Sequence, residues 1–180
     1  MLVTIAIVVG VLLAALLGYA ATRPDTFRVQ RTQSMQAPPE RIFDLIDDFH
    51  NWASWSPYEK LDIAMKKTFS GAARGKGAVY AWAGNSKAGE GRMEILSAVP
   101  SRITINLDFL KPFEGHNTAE FTLDSKGGST DVTWAVYGPQ PFMFKLMSIF
   151  LDMDKMMGKE FAAGLANMKA IAESRTVVSN

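Results

Sequence analysis

Twenty residues without a single charge run from Leu2 to Ala21, LVTIAIVVGVLLAALLGYAA, and they constrain the fold before anything else does. At 1.5 Å rise per residue they make roughly 30 Å of helix, the thickness of a bilayer's hydrocarbon core. A buried core helix is rarely apolar on every face for so long. A cleaved signal peptide is the competing reading, since Gly18 and Ala20 supply small residues for a cleavage site. Against it, no Lys or Arg precedes the run, and the run exceeds a usual signal h-region. An uncleaved transmembrane anchor over residues 1–22, entering the membrane through residues 2–21, fits better. Arg23, Arg28 and Arg31 follow the span, which leans the remaining domain to the cytoplasmic side. Cleavage would instead leave a periplasmic or secreted domain. Pro24 and Asp25 stop the helix and make residues 23–26 a very short linker, so the domain sits close to the bilayer.

Beyond the linker the patterning changes period. TFRVQRTQSM alternates as a first strand, and APPERIFDLIDDF sets two prolines before a helix whose Ile42, Phe43, Leu45, Ile46 and Phe49 share a helical spacing. AMKKTFSG, GAVYAWAGNS, EGRMEILSAVP, RITINLDFL, HNTAEFTLDS and STDVTWAVYG then read as strands, the last two joined by Lys126-Gly127-Gly128. Thr104, Asn106 and Asp108, or Thr118, Glu120 and Thr122, keep one strand face polar, which suits an antiparallel sheet wetted on its outer side. No strand–helix alternation is present, so a Rossmann-type parallel sheet is excluded. Met153, Met156, Met157, Phe161, Leu165, Met168 and Ile171 form an apolar stripe on a long final helix, with Gly164 on the same stripe where close approach to the sheet is possible. Phe142 to Leu151 is apolar on nearly all sides, so it is either deeply buried or touches the membrane. The class is α+β, and residues 27–174 form one domain followed by a disordered tail over 175–180. A single helix cannot fill the concave side of a curved sheet, and such gaps become apolar pockets.

Composition and motifs exclude more than they assign. Basic and acidic side chains number 19 and 18, so no basic face for nucleic acid is expected. The chain has no cysteine, which removes disulfides, thiolate metal sites and cysteine nucleophiles. GAARGKGA lacks the spacing and the Ser/Thr of a phosphate loop, and its glycines read as turn residues. With His50 and His116 as the only histidines and no spaced ligand set, neither a metal nor a cofactor is implied. Asp44, Asp47 and Asp48 read as a solvated helix face, and Asp152 and Asp154 as charges at a helix start. The stretch FHNWASWSPYEK crowds Trp52, Trp55 and Tyr58 around Pro57 with no regular period. It is either a plug on the core or the rim of an apolar site, and Trp52 is assigned to the core.

Three stretches carry a family resemblance: APPERIFDLIDDFHNWASWSPYEK, TFSGAARGKGAVYAW and GKEFAAGLANMKAIAE. In them the chain resembles the START-like, polyketide cyclase/dehydrase (SRPBCC) superfamily, and among its members the membrane-tethered bacterial type, over roughly Thr26 to Glu173. The resemblance implies a helix-grip fold, a curved antiparallel sheet wrapped around a long C-terminal helix, here with one N-terminal transmembrane helix. It also implies a hydrophobic cavity between sheet and helix. Candidate ligand-binding residues are then Trp55 and Tyr58 on the aromatic stretch, and Trp82, Ile105, Leu107, Asn117, Phe121, Trp134 and Tyr137 on the strands. Met157, Phe161 and Leu165 on the final helix complete them. Trp134, flanked by Phe121 and Leu107, is the residue expected to point inward; Tyr58, Tyr137 and Asn117 would orient a ligand. The expected function is a membrane-anchored binder of a hydrophobic or amphipathic small molecule, lipid-like or polycyclic. The superfamily also holds cyclases and dehydratases, for which Tyr58, Tyr137 or His50 would be the acids. A third possibility is an interaction module whose cavity is filled by its own side chains.

Overall fold

The computed structural model describes residues 1–174, and the tail expected over 175–180 lies outside the described residues. Helix α1 (Leu2–Ala21) leads into β1 (Thr26–Met35), α2 (Pro39–Ile46) and α3 (Trp52–Trp55). Six strands follow: β2 (Lys66–Gly71), β3 (Ala78–Ala83), β4 (Glu90–Val99), β5 (Arg102–Lys111), β6 (Gly115–Lys126) and β7 (Ser129–Pro139). Helices α4 (Phe142–Phe150) and α5 (Met153–Ser174) end the described chain. The strands make one seven-stranded antiparallel sheet in the order β1-β7-β6-β5-β4-β3-β2. This is the α+β helix-grip architecture, with α5 running along β1 and against α2 and α3.

Alternation decides which side of each strand is dry. On β5 the buried positions are Ile103, Ile105 and Leu107; on β6 they are Ala119, Phe121 and Leu123; on β7 Val132, Trp134 and Val136 lead. All face α5, which returns Phe161, Leu165 and Met168. The register separates the sheet into two ends. Thr26 pairs with Pro139, and the β3–β4 and β5–β6 turns lie at that same end, which we call the proximal end because α1 enters there. Met35 pairs with Thr130 at the distal end, shared by the β2–β3, β4–β5 and β6–β7 turns.

The aromatic stretch is more regular than its sequence period suggests. It folds as a 3-10 turn (Phe49–Asn51), α3, and a second 3-10 turn (Pro57–Lys60). Asp48 nucleates the first by accepting from the His50 backbone N–H at 2.9 Å. Trp52 donates its indole N–H to the Ile46 carbonyl and Trp55 to that of Leu45, both at 2.9 Å. The last carbonyls of a helix have no partner within it, so the two indoles satisfy the end of α2 while burying their rings.

Helix α1 is long and apolar enough to cross a membrane, a property that a signal sequence shares. Helix α4 lies against it. Of the two alternatives open for residues 142–151, deep burial does not hold. Lys145 is the buried residue of α4, while Phe142, Met143 and Phe150 are exposed.

Candidate functional site

Between the sheet and the first turns of α5 lies a cavity of about 110 Å³, displaced toward the proximal end. Its floor is Trp52, Trp134, Phe161 and Ala119. Its walls are Tyr80, Trp82, Met93, Leu107, Phe109 and Val136, and Tyr58, Glu59, Leu61, Met65 and Met157 close over it. Each wall has a local cause. Trp82 lies flat because Gly91 stands opposite it, where an added Cβ would come within 2.4 Å of the indole ring. Its N–H is fixed by the Ala88 carbonyl at 3.0 Å.

Trp134 is the centre of the site. Phe161 stacks on one side of it at 4.3 Å between centroids, and Phe121 stacks at 5.2 Å. Trp55 and Tyr58 meet it edge-on. Gly164 allows α5 to approach, since a Cβ there would sit 2.8 Å from the Trp134 ring. The Trp134 indole N–H is buried and has no hydrogen-bond partner among the described residues. A buried donor left unpaired costs roughly 1–3 kcal/mol, so a ligand acceptor within reach would recover that energy.

One carboxylate lines the cavity. The Glu59 side chain is 8% exposed. It accepts from the Tyr80 hydroxyl at 2.8 Å and pairs with the Lys67 ammonium from the edge strand. Burial pushes the Tyr80 phenol far above its ordinary value, and the Glu59 hydrogen bond adds to this, so Tyr80 stays a donor. Burial likewise raises Tyr58, with the charge of Glu160 contributing. The site is therefore an apolar pocket with one anchored acid–phenol pair on its wall, next to a buried, unpaired indole N–H.

Of the residues expected from sequence, Tyr58, Trp82, Leu107, Trp134, Met157 and Phe161 stand on the cavity surface. Trp55, Ile105, Phe121 and Leu165 are fully buried in the packing outside its lining. Asn117 faces inward beyond the cavity, its side chain against Gly138. Tyr137 corrects the expectation most clearly. Strand parity opposes it to Trp134 and Val136, so it lies on the outer face, where the Arg28 guanidinium covers its ring at 4.8 Å. His50 is also elsewhere, exposed, bonded to Asp48 at 2.7 Å and stacked on Phe69. Tyr80 shares the Trp82 face of its strand, whereas Glu59 is a cavity residue that no sequence pattern marks. Glu59 looks like the polar tail of a turn, and only the fold brings it to Tyr80 and Lys67. Asp47 is likewise no solvated charge, being buried and held by both nitrogens of an Arg74 fork at 2.9 Å.

Known proteins with this architecture are numerous and distant. CV1439 from Chromobacterium violaceum superimposes with a TM-score of 0.56 at 19% identity, covering 84% of this chain and 99% of that one. Major latex-like protein 151 from Panax ginseng gives 0.59 at 12%, covering 83% and 99%. The di-domain ARO/CYC StfQ from the steffimycin biosynthetic pathway gives 0.66 at 10%, with 85% of this chain matched to 52% of that protein. At such identities the likeness is one of fold. No curated protein matches the sequence. The family described as polyketide cyclase / dehydrase and lipid transport matches residues 26–173, nearly the whole chain after α1. The chain belongs to that polyketide cyclase/dehydrase and lipid transport family.

Proposed function

We propose that this protein is a membrane-anchored carrier for a hydrophobic or amphipathic small molecule. Residues 1–22 are the anchor, 23–26 the linker and 27–174 the ligand-binding domain. The three arginines after the span lean the domain to the cytoplasmic side. The observation that carries the reading is the apolar cavity lined by Trp134, whose buried indole N–H has no partner among the described residues. An apolar body with a hydrogen-bond acceptor, such as a carbonyl of a quinone-like or acyl compound, matches both features.

Volume limits what enters. A cavity of about 150 Å³ holds benzene, whereas drug-sized ligands need about 300 Å³ or more. At about 110 Å³ the site falls below that size and takes a short alkyl segment as it stands. A larger ligand must displace Met157, Leu61 or Met65, flexible or half-exposed side chains on the closing side. Removing about 200 Å² of apolar ligand surface from water contributes roughly 5 kcal/mol before association costs.

Glu59 supports a second reading, a cyclase or dehydratase in which it moves a proton at a bound substrate with Tyr80 as its donor partner. The two readings separate in one experiment. Full-length protein in lipid nanodiscs is extracted and its bound small molecules identified by mass spectrometry. The wild type, Ala119→Trp, which fills the cavity, and Glu59→Gln are compared. A co-purifying compound lost in Ala119→Trp and kept in Glu59→Gln supports the carrier. Conversion of that compound by the wild type and not by Glu59→Gln supports the enzyme. An empty cavity that also takes up no fluorescent apolar probe defeats both.

A further inference from the structure

Helix α4 is built inside out. Its lysine is its buried residue, at 8% exposure, while Phe150 is 71% exposed and Met143 63%. The Lys145 stem is covered, and its ammonium pairs with the exposed Asp25 carboxylate in the linker just before β1. Water should favour the opposite arrangement, with the lysine outside and the phenylalanines covered. Helix α4 packs against α1, and its exposed Phe142, Met143 and Phe150 are left for something other than water.

The surroundings extend the same surface. The tip of the β5–β6 hairpin projects Leu110 and Phe113, and Phe113 meets Phe144 of α4 edge-on at 6.2 Å between ring centroids. Ile63, on the segment entering β2, is wholly exposed. All of these lie at the proximal end, where Thr26 pairs with Pro139 and where α1 joins the sheet. The distal turn tips expose Lys76, Ser101 and Lys126, with Val99 as their one exposed large apolar side chain. Exposed apolar area on a soluble face is normally scattered, and a patch gathered at one end marks a contact surface.

We propose that the proximal end, α4 together with the Phe113 hairpin tip and Ile63, inserts shallowly into the interface of the bilayer that α1 spans. The occupant follows from connectivity. α4 packs against α1, and the linker between α1 and β1 is only residues 22–25, so this end cannot leave the membrane surface. Aromatic and aliphatic side chains beside a polar rim are the composition that interfacial helices use. The side of the cavity nearest this end is formed by Phe109, Ala88 and Leu61. Ligand would then pass between bilayer and cavity without crossing bulk water. The inference rests on the anchored reading above, and the test separates the two.

The natural absence of cysteine permits single labels. Leu12→Cys, Phe113→Cys, Phe150→Cys and Ser101→Cys are made in the full chain, coupled to an environment-sensitive fluorophore and reconstituted into phosphatidylcholine–phosphatidylglycerol vesicles. Shallow-doxyl and deep-doxyl lipids serve as quenchers. Labels at 113 and 150 are expected to emit blue-shifted light and to be quenched by shallow-doxyl lipid, with the label at 101 water-like. Water-like emission at 113 and 150 with deep quenching at 12 overturns the docking surface and leaves the anchor standing. Water-like emission at all four positions overturns the anchor as well. Shallow quenching at 113 and 150 without deep quenching at 12 keeps the surface and removes the span.

Discussion

Gly164 bears on both stability and the site through what it lacks. An added methyl would stand 2.8 Å from the Trp134 ring and 3.1 Å from the Pro57 ring, and neither is the mobile end of a flexible side chain. Gly164→Ala is therefore expected to lower stability by about 1–3 kcal/mol, despite alanine's better helix propensity. Urea unfolding would show it as a lower midpoint at unchanged slope, and a neutral result would mean that α5 can slide. His116 offers a second single-residue test. The Asp108 carboxylate, 2.8 Å away, holds its imidazolium, with Glu114 assisting, and raises its pKa above the ordinary value. A raised histidine stabilises the folded state fully below its unfolded value, and that contribution disappears as pH rises through the folded one. Because both partners sit on the wet face of the sheet, the energy is small. An NMR titration should place the His116 midpoint above about 6.5, and Asp108→Asn should bring it down. Equal midpoints in the two proteins would remove the pair as the cause.

The elements are held together at their ends, and one such tie makes a sharper test. Arg74, from the β2–β3 turn, grips the buried Asp47 at the end of α2, and the Gly75 N–H donates to the Asp47 carbonyl at 2.8 Å. Burial raises the Asp47 pKa and Arg74 opposes the rise. Arg74→Ala should cost about 1–2 kcal/mol near neutral pH, a charged hydrogen bond discounted for Arg74's exposure. A carboxyl with a raised folded pKa gains stability as pH falls through that value, so part of the loss should return on acidification. A loss that is equal at neutral and acid pH would point to the turn's backbone instead. This tie also shows where sequence reading stops. Period-two alternation from Arg102 to Lys111 and from Ser129 to Pro139 made the strands and their dry faces legible, and the same parity put Trp134 inside. Applied consistently, it would have put Tyr137 outside. Arg74–Asp47 and Glu59–Tyr80 join residues 27 and 21 positions apart, and no local pattern records such pairings. The aromatic stretch is ambiguous in sequence because both tryptophans cap α2 while Trp52 alone also floors the cavity.

At the scale of the whole molecule the two ends of the sheet differ in how firmly they are packed. Away from the mouth, Trp55, Phe121, Ile103, Leu165 and Met168 are fully buried, and the Asn167 side chain ties α5 to the Trp55 carbonyl at 3.0 Å. Around the mouth, Leu61 and Ile63 are exposed, Met157 is half-buried, and the cavity leaves Trp82 and Phe109 without full packing. Regions with few buried contacts open at lower free energy than the rest of a fold, and ligand-admitting segments are drawn from them. Hydrogen exchange should therefore divide α5 along its length. Amides around Met157 to Phe161 should exchange faster than those around Leu165 to Met168, as should those from Leu61 to Met65. Because the closed cavity is smaller than most amphipathic ligands, an opened state must be the one that loads. A bound ligand should consequently slow exchange at Met157 to Phe161 and at the proximal halves of β3 and β5, and leave the β6–β7 turn unchanged. Uniform exchange along α5, or protection spread evenly to the distal turns, would mean that the helix moves as one body. Loading would then require the whole grip to loosen rather than one end of it.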